Sequence, residues 1–170
     1  VSGGLFLLRD SASASVSSLS SITVASGSLD LANNASLALL DAFVSVTGGL
    51  LIAQDASTIV ANTTTINVSG GSFIMQNTSS LLLGHNASIV VSGGNVILGG
   101  QSTVTSVVGS SWTINNGSFV FGGNTVAVFS LASIVISSSG ATSGSLIFTG
   151  AAEAWFTSST ITISSGNMQS

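Results

Sequence analysis

Cysteine, proline, tyrosine and lysine are absent from this chain of 170 residues, and arginine occurs once. Each gap excludes something. Nucleic-acid affinity rests on Lys and Arg neutralising phosphates, so with Arg9 alone a nucleic-acid partner is excluded. A polybasic patch for an anionic membrane surface fails on the same ground. Without Cys there is no disulfide framework and no thiolate metal site, and cysteine usage cannot report the compartment. Ser, Thr, Asn and Gly break every apolar run well short of the roughly 18 residues that mark a membrane-spanning helix, so no transmembrane segment is expected. No charged segment followed by an apolar one opens the chain, and it begins with Val1 rather than Met. A processed or excised start is expected there.

Hydroxyls are what the chain has in quantity: 36 Ser and 16 Thr, against five acidic residues. So little charge leaves solubility to some other means. Hydroxyls hydrate weakly, and covalent sugar would serve better.

An internal repeat organises the whole sequence. The phrase Val68-Ser69-Gly70-Gly71-Ser72-Phe73 recurs as Val1-Ser2-Gly3-Gly4-Leu5-Phe6, Val46-Thr47-Gly48-Gly49-Leu50-Leu51, Val91-Ser92-Gly93-Gly94-Asn95-Val96 and Ile114-Asn115-Asn116-Gly117-Ser118-Phe119. With the weaker copies, anchors fall at Val1, Val24, Val46, Val68, Val91, Ile114, Ile136 and Ile163, at intervals of 23, 22, 22, 23, 23, 22 and 27. An insertion at about 138–142 accounts for the long interval. Removing it restores 22, with Gly144-Ser145-Leu146 as the displaced phrase.

Each unit holds three short segments with apolar residues two apart. After the glycine come Phe6/Leu8, Leu29/Leu31, Phe73/Met75, Val96/Leu98, Phe119/Phe121 and Leu146/Phe148. Leu37/Leu39 and Leu81/Leu83 follow in mid-unit, then Ile22/Val24, Val44/Val46, Ile66/Val68, Ile89/Val91, Trp112/Ile114, Ile134/Ile136 and Ile161/Ile163. Period two over four to six residues, rich in β-branched and aromatic types, predicts half-buried strands, and no window predicts a helix. Between the first and second segments stand Asp10, Asn33, Asp55, Asn77, Gly100, Gly123 and Gly150, residue types that tolerate the left-handed conformation of a sharp turn. Gly4, Gly27, Gly49, Gly71, Gly94, Gly117 and Gly144 mark a second corner, expected to turn in the same way. Asp41, Gly84-His85-Asn86 and Gly109-Ser110 suggest a third.

Three strands and three corners per 22 to 23 residues describe a coil that buries its apolar face only by stacking on its neighbours. The chain is therefore expected to be all-β, a single solenoid over residues 1–170 of about seven coils, with an interior of like side chains in ladders. One ladder runs Phe6, Leu29, Leu51, Phe73, Val96, Phe119, Leu146, and Ala42, Ala87 and Ala132 mark a narrowing. This resembles the three-faced parallel β-helix of the pectin-lyase-like superfamily and of surface adhesins, in repeat length and strand pattern over the whole chain. The resemblance implies a right-handed coil, and no family-specific catalytic motif accompanies it.

Few residues offer chemistry. Asp10 and Asp55 share a corner column two coils apart, with Asn33 between. Their separation of about 10 Å is at or beyond the upper edge for an inverting glycosidase pair. Asp30 and Asp41 are scattered, so turn formation accounts for Asp10 and Asp55 better than catalysis. His85 lacks the companions a metal site needs, and no Ser has a base placed to activate it. The Gly-Gly pairs follow strands and open no helix, which makes them corners rather than phosphate cradles. No catalytic residue, cofactor or metal site is assigned.

Six Asn-x-Ser/Thr sequons, at Asn34, Asn62, Asn67, Asn77, Asn86 and Asn116, exceed the about three to four that composition yields by chance. All six are expected to point outward and are candidates for glycosylation. The third strand of each unit adds outward hydroxyls at Ser21/Thr23, Thr65, Ser88, Ser111/Thr113, Ser133 and Thr160/Thr162, an array interrupted by Phe43, Val90 and Val135. No capping sequence closes either end, and Ser170 falls seven residues past its anchor. A segment of a longer rod, or one unit of a filament stacking end to end on copies of itself, is expected. The function that follows is a non-catalytic, glycosylated structural solenoid, extracellular or on a cell surface. The alternatives are a carbohydrate-active β-helix, which requires clustered acids in a groove, and an ice-binding solenoid, which requires an uninterrupted Thr face.

Overall fold

The computed structural model describes residues 1–137, 144–164 and 167–169; the expected insertion at about 138–142 lies outside them. These residues form three parallel sheets and no helix. The first coil is typical. Leu5–Leu8 lies on face one, Ser13–Ser17 on face two and Ser21–Val24 on face three, and Ser28–Leu31 returns to face one above Leu5–Leu8. Seven such coils place eight strands on face one, including Asn167–Gln169, and seven on each of the other faces. The chain is a parallel β-solenoid of about seven turns.

Period two becomes inside and outside on the strands of the inner coils. On Thr65–Val68, Ile66 and Val68 are buried while Thr65 and Asn67 face out. Stacking is in register, with Phe73 over Leu51 and under Val96, and Ile89 between Ile66 and Trp112. The backbone bonds cross the corners as well as the strands: Leu50 N donates to Gly27 O at 3.0 Å, and Ser72 N to Gly49 O at 3.0 Å. A one-residue slip would turn every core side chain outward, so burial enforces the register.

The column between faces one and two turns as expected. Asp10, Asn33, Asp55, Asn77, Gly100, Gly123 and Gly150 all have φ between 57° and 70°. The third corner is left-handed at Leu19, Asp41, Thr63, Asn86, Gly109, Leu131 and Ser158. Leu19, Thr63 and Leu131 are poorly suited to that region, and composition does not mark them as corners.

The glycine corner works differently from the expectation. Of Gly4, Gly27, Gly49, Gly71, Gly94, Gly117 and Gly144, only Gly117 has a positive φ, 114°. Of the others, all but Gly4 sit where the preceding coil leaves no room for a methyl. A methyl on Gly71 would run into the carbonyl oxygen of Gly49 and stand 2.8 Å from Val46 Cγ1. One on Gly94 would meet Gly71 O and stand 2.7 Å from Val68 Cγ1. From Gly27 to Gly144, each glycine makes room for the coil before it. Gly4, at the first coil, has nothing within 4 Å.

The core changes character along the axis. Coils one to four fill it mostly with Leu, Ile, Val and Ala, with Phe73 as the largest fully buried side chain there. Further on, Trp112 packs edge-on to Phe119 (4.7 Å) and Phe129 (5.5 Å). Phe121 stacks on Phe148 at 4.9 Å, and Phe129 on Phe156 at 5.0 Å. The buried indole is satisfied: Trp112 Nε1 donates to Ser106 Oγ at 2.9 Å, and Ser106 lies 2.6 Å from Ser110 Oγ. A second inward column, Ala35, Ser57, Ser79, Ser102 and Thr125, lines the narrow interior just past the first corner. Thr125 Oγ1 donates to Gly122 O at 2.7 Å, whereas the hydroxyls of Ser57 and Ser79 are buried without a partner.

Candidate functional site

The interior is filled by side chains from the second coil on, and the first coil leaves an apolar cavity of about 300 Å³ lined by Val1, Phe6, Ala14, Val16, Ile22 and Leu37. The polar chemistry of the described residues lies at the corners and on the outer faces. The first corner carries a side-chain ladder. Asn33 Nδ2 donates to Asp10 Oδ1 at 2.7 Å, Asn33 N to Asp55 Oδ2 at 3.1 Å, and Asn77 Nδ2 to Asp55 Oδ1 at 3.0 Å. Alternation of Asp with Asn lets each carboxylate accept from an amide one coil away, where two stacked carboxylates would repel. Asn33 therefore occupies the space between Asp10 and Asp55 that a glycosidase pair needs for water and substrate. The ladder is held by the same residue types that turn the corner.

Asp30 projects from face one into a second ladder, accepting from Gln54 Nε2 at 3.2 and 3.3 Å, while Gln54 Oε1 accepts from Gln76 Nε2 at 2.9 Å. Burial of the carboxylate raises the Asp30 pKa; the bond from Gln54 opposes the rise and the charge of Asp55 adds to it. Asp41 and His85 are exposed at the third corner, and Glu153 is exposed on face two. Among the described residues, no three of His, Asp and Glu come together as metal ligands.

None of the six sequon asparagines is buried. Asn34, Asn77 and Asn86 are exposed at corners; Asn62, Asn67 and Asn116 are half-buried. Asn67 lies on the outer side of face three, where Ser92 Oγ reaches its Oδ1 at 3.5 Å. At the third corner, two asparagines rest on glycines of the following coil. Asn86 Oδ1 would stand 2.5 Å from a methyl on Gly109, and Asn62 Oδ1 fills the place of a methyl on Gly84. Those glycines clear the surface that the amides cover.

The sequon hydroxyls are not equivalent. Ser36, Ser69, Ser88 and Ser118 are half-buried, with Ser88 Oγ donating to Thr65 Oγ1 at 3.0 Å and Ser118 Oγ to Asn95 Oδ1 at 2.7 Å. Thr64 and Ser79, which complete the sequons of Asn62 and Asn77, are wholly buried. Thr64 Oγ1 donates to Asn62 O at 2.8 Å and accepts from Ala42 N at 3.4 Å. Sequence pattern places both hydroxyls next to corners; the stacked coils bury them.

Face three carries the expected hydroxyls, with Phe43, Val90 and Val135 among them, and Phe43 is 43% exposed. A feature of face one is additional. Its outer side bears Ile52, Ile74, Ile97, Val120 and Ile147 in one register column. The signal for it is runs such as Phe73-Ile74-Met75 and Val96-Ile97-Leu98, where alternation of apolar with polar is lost.

No family model, curated protein or solved structure matches this chain.

Proposed function

We propose that this chain is a structural element: a non-catalytic β-solenoid rod, glycosylated on its corners and outer faces, that works outside the cell or at its surface. The observation that carries this reading is the division between inside and outside. From the second coil on, the interior is packed with apolar side chains in stacked ladders, and all six sequon asparagines remain on the outside. Seven coils rise about 34 Å at roughly 4.8 Å each. Along that length each coil templates the next through in-register backbone bonds, and sugar at the corners supplies the hydration that so few charges cannot.

The same reading has the rod continue through further coils, either of its own chain or of a second copy stacked on its axis. Phe6 at one end of the described stack is 49% exposed, and Phe156 and Ile163 at the other are 37% and 45% exposed. These are interior positions of the repeat, which another coil would cover. Adhesin-type solenoids offer a functional analogy. The Asp10–Asn33–Asp55 ladder weighs against a carbohydrate-active site, because an amide stands where a cleavage site needs open space. The interrupted hydroxyls of face three weigh against ice binding.

Secretion from a eukaryotic host, followed by glycopeptide mapping and electron microscopy, tests this directly. Sugar on several of the six asparagines and rod-shaped particles are expected. Bare asparagines on the secreted chain would overturn the glycoprotein reading, and cleavage of a polysaccharide lost in Asp10→Asn/Asp55→Asn would overturn the non-catalytic one.

A further inference from the structure

Two sequons are folded in a way that removes half of the signal. A transferase that modifies Asn-x-Ser/Thr reads the hydroxyl two residues on as well as the amide. At Asn77 the amide is exposed, but Ser79 is wholly buried and its Oγ points into the stack without a partner. At Asn62 the corresponding hydroxyl, Thr64 Oγ1, is wholly buried and engaged on both sides, to Asn62 O and from Ala42 N. Neither hydroxyl can be presented to an enzyme unless its coil opens. The backbone around them is bonded on both sides as well: Thr78 N donates to Asp55 O, Gln101 N to Asn77 O, and Thr65 N to Ala42 O.

We infer that Asn62 and Asn77 are glycosylation sites usable only before their coils close, so that sugar there is added to the nascent, unfolded chain. This rests on the glycoprotein reading above and adds the order of events. The substrate is a glycan carried on a lipid diphosphate. Asn Nδ2 forms the bond to the anomeric carbon, the carbon–oxygen bond to the diphosphate breaks, the lipid diphosphate leaves with that electron pair, and the amide gives up one proton. The hydroxyl is thereby used twice, first as part of the recognition signal and then as part of the fold. After transfer, Thr64 caps the third corner and Ser79 closes into the interior.

The finished coil accommodates the product. A glycosylated amide keeps one N–H, which is enough for the single bond Asn77 donates to Asp55. Asn77 is exposed, and Asn62 is half-buried with its Oδ1 over Gly84, so neither amide is enclosed by the stack. Modification before folding and closure of the coil are compatible.

The test compares two forms of the full chain made without sugar in a bacterial host. One is the folded chain; the other is Phe73→Asp/Phe119→Asp, whose buried carboxylates prevent closure of the core and whose unfolding is verified by circular dichroism. Both carry a flexible Asn-Gly-Thr tag after Ser170 as an internal control. Each is given purified eukaryotic oligosaccharyltransferase and a dolichyl-diphosphate oligosaccharide, and occupancy is read by glycopeptide mass spectrometry. With the tag modified equally in both, Asn62 and Asn77 are expected to be at least tenfold less occupied on the folded chain. Equal occupancy of either in both forms overturns the order of events while leaving the glycoprotein reading intact. Modification of the tag with none of the chain's own six sites modified on the unfolded form overturns the glycoprotein reading, and the order of events with it.

Discussion

In coils one to four the first corner is turned by Asp10, Asn33, Asp55 and Asn77; in coils five to seven the same left-handed position belongs to Gly100, Gly123 and Gly150. The core changes along the same axis, from mostly aliphatic to the cluster of Trp112, Phe119, Phe121, Phe129, Phe148 and Phe156. One backbone path is thus held by two chemistries. The corner demands a conformation, and both Asx and Gly supply it. Asx adds a hydrogen-bonded ladder outside, whereas Gly adds none, and the later coils carry their aromatic contacts inside. Five of the six sequons fall in the Asx half, with Asn34, Asn62, Asn67, Asn77 and Asn86 in coils two to four and Asn116 in coil six.

The largest expected effect that tests this division is in the aromatic core. Phe121→Ala removes contacts with Phe119, Phe129 and Phe148 together, and should destabilise by about 3–5 kcal/mol in urea unfolding. Ala127→Gly, with far less to lose on the facing sheet, serves as the small-residue reference. A loss at Phe121 below about 2 kcal/mol would show that the aromatic cluster is not what holds the later coils.

Next in size is the glycine corner. Gly71→Ala forces a methyl against Gly49 O and Val46 Cγ1, an overpacking cost of about 1–3 kcal/mol, whereas Gly4→Ala meets open space. Melting temperatures should fall for the first and stay nearly unchanged for the second. Similar values for both would mean that close approach is not the reason for the glycines.

Asn33→Ala should cost about 1–2 kcal/mol, because alanine is poorly suited to a φ of 59° and the bond to Asp10 is lost. Asn33→Gly separates the two contributions, since it keeps the conformation and loses only the bond. In the glycine half, Gly123→Asn keeps the left-handed conformation but brings its Cβ to 2.7 Å from Gly100 O, so a loss of about 1–2 kcal/mol is expected; a neutral result would show that the two corner chemistries are interchangeable.

The smallest effect is at Asp30. Its raised pKa means that the folded chain holds the proton more tightly than the unfolded one, whose value is near the usual 3.8. Its contribution is therefore fully present below that value and is lost as pH rises through the folded value. Asp30→Asn should flatten the decline and leave the chain slightly more stable at neutral pH, as read by urea midpoints on either side of that window.

Much of this was legible in the chain itself. Repeat length, three strands per coil, the inward ladder from Phe6 to Leu146 and the left-handed column from Asp10 to Gly150 all follow from local pattern, because period two and turn chemistry are local properties. The glycine corner was legible as glycine but not in its reason: the atoms that exclude a methyl at Gly71 belong to residues 22 and 25 positions earlier. The left-handed Leu19, Thr63 and Leu131 were hidden for a related reason, since the stack imposes that conformation on residues that would not choose it alone.

By itself, then, the sequence determined the coil: its length, its strands, which apolar residues of those strands face inward and where Asx or Gly bends the first corner. Only the tertiary structure decided what lies one coil above and below each residue. That stacking turns Asn33 into a bridge between Asp10 and Asp55, makes room a requirement at Gly71, and draws the hydroxyls of Thr64 and Ser79 inside. The physical reason is that a solenoid's decisive contacts are made between residues about one repeat apart, across a backbone spacing of about 4.8 Å. At that distance an added methyl or a redirected hydroxyl changes what the neighbouring coil can do.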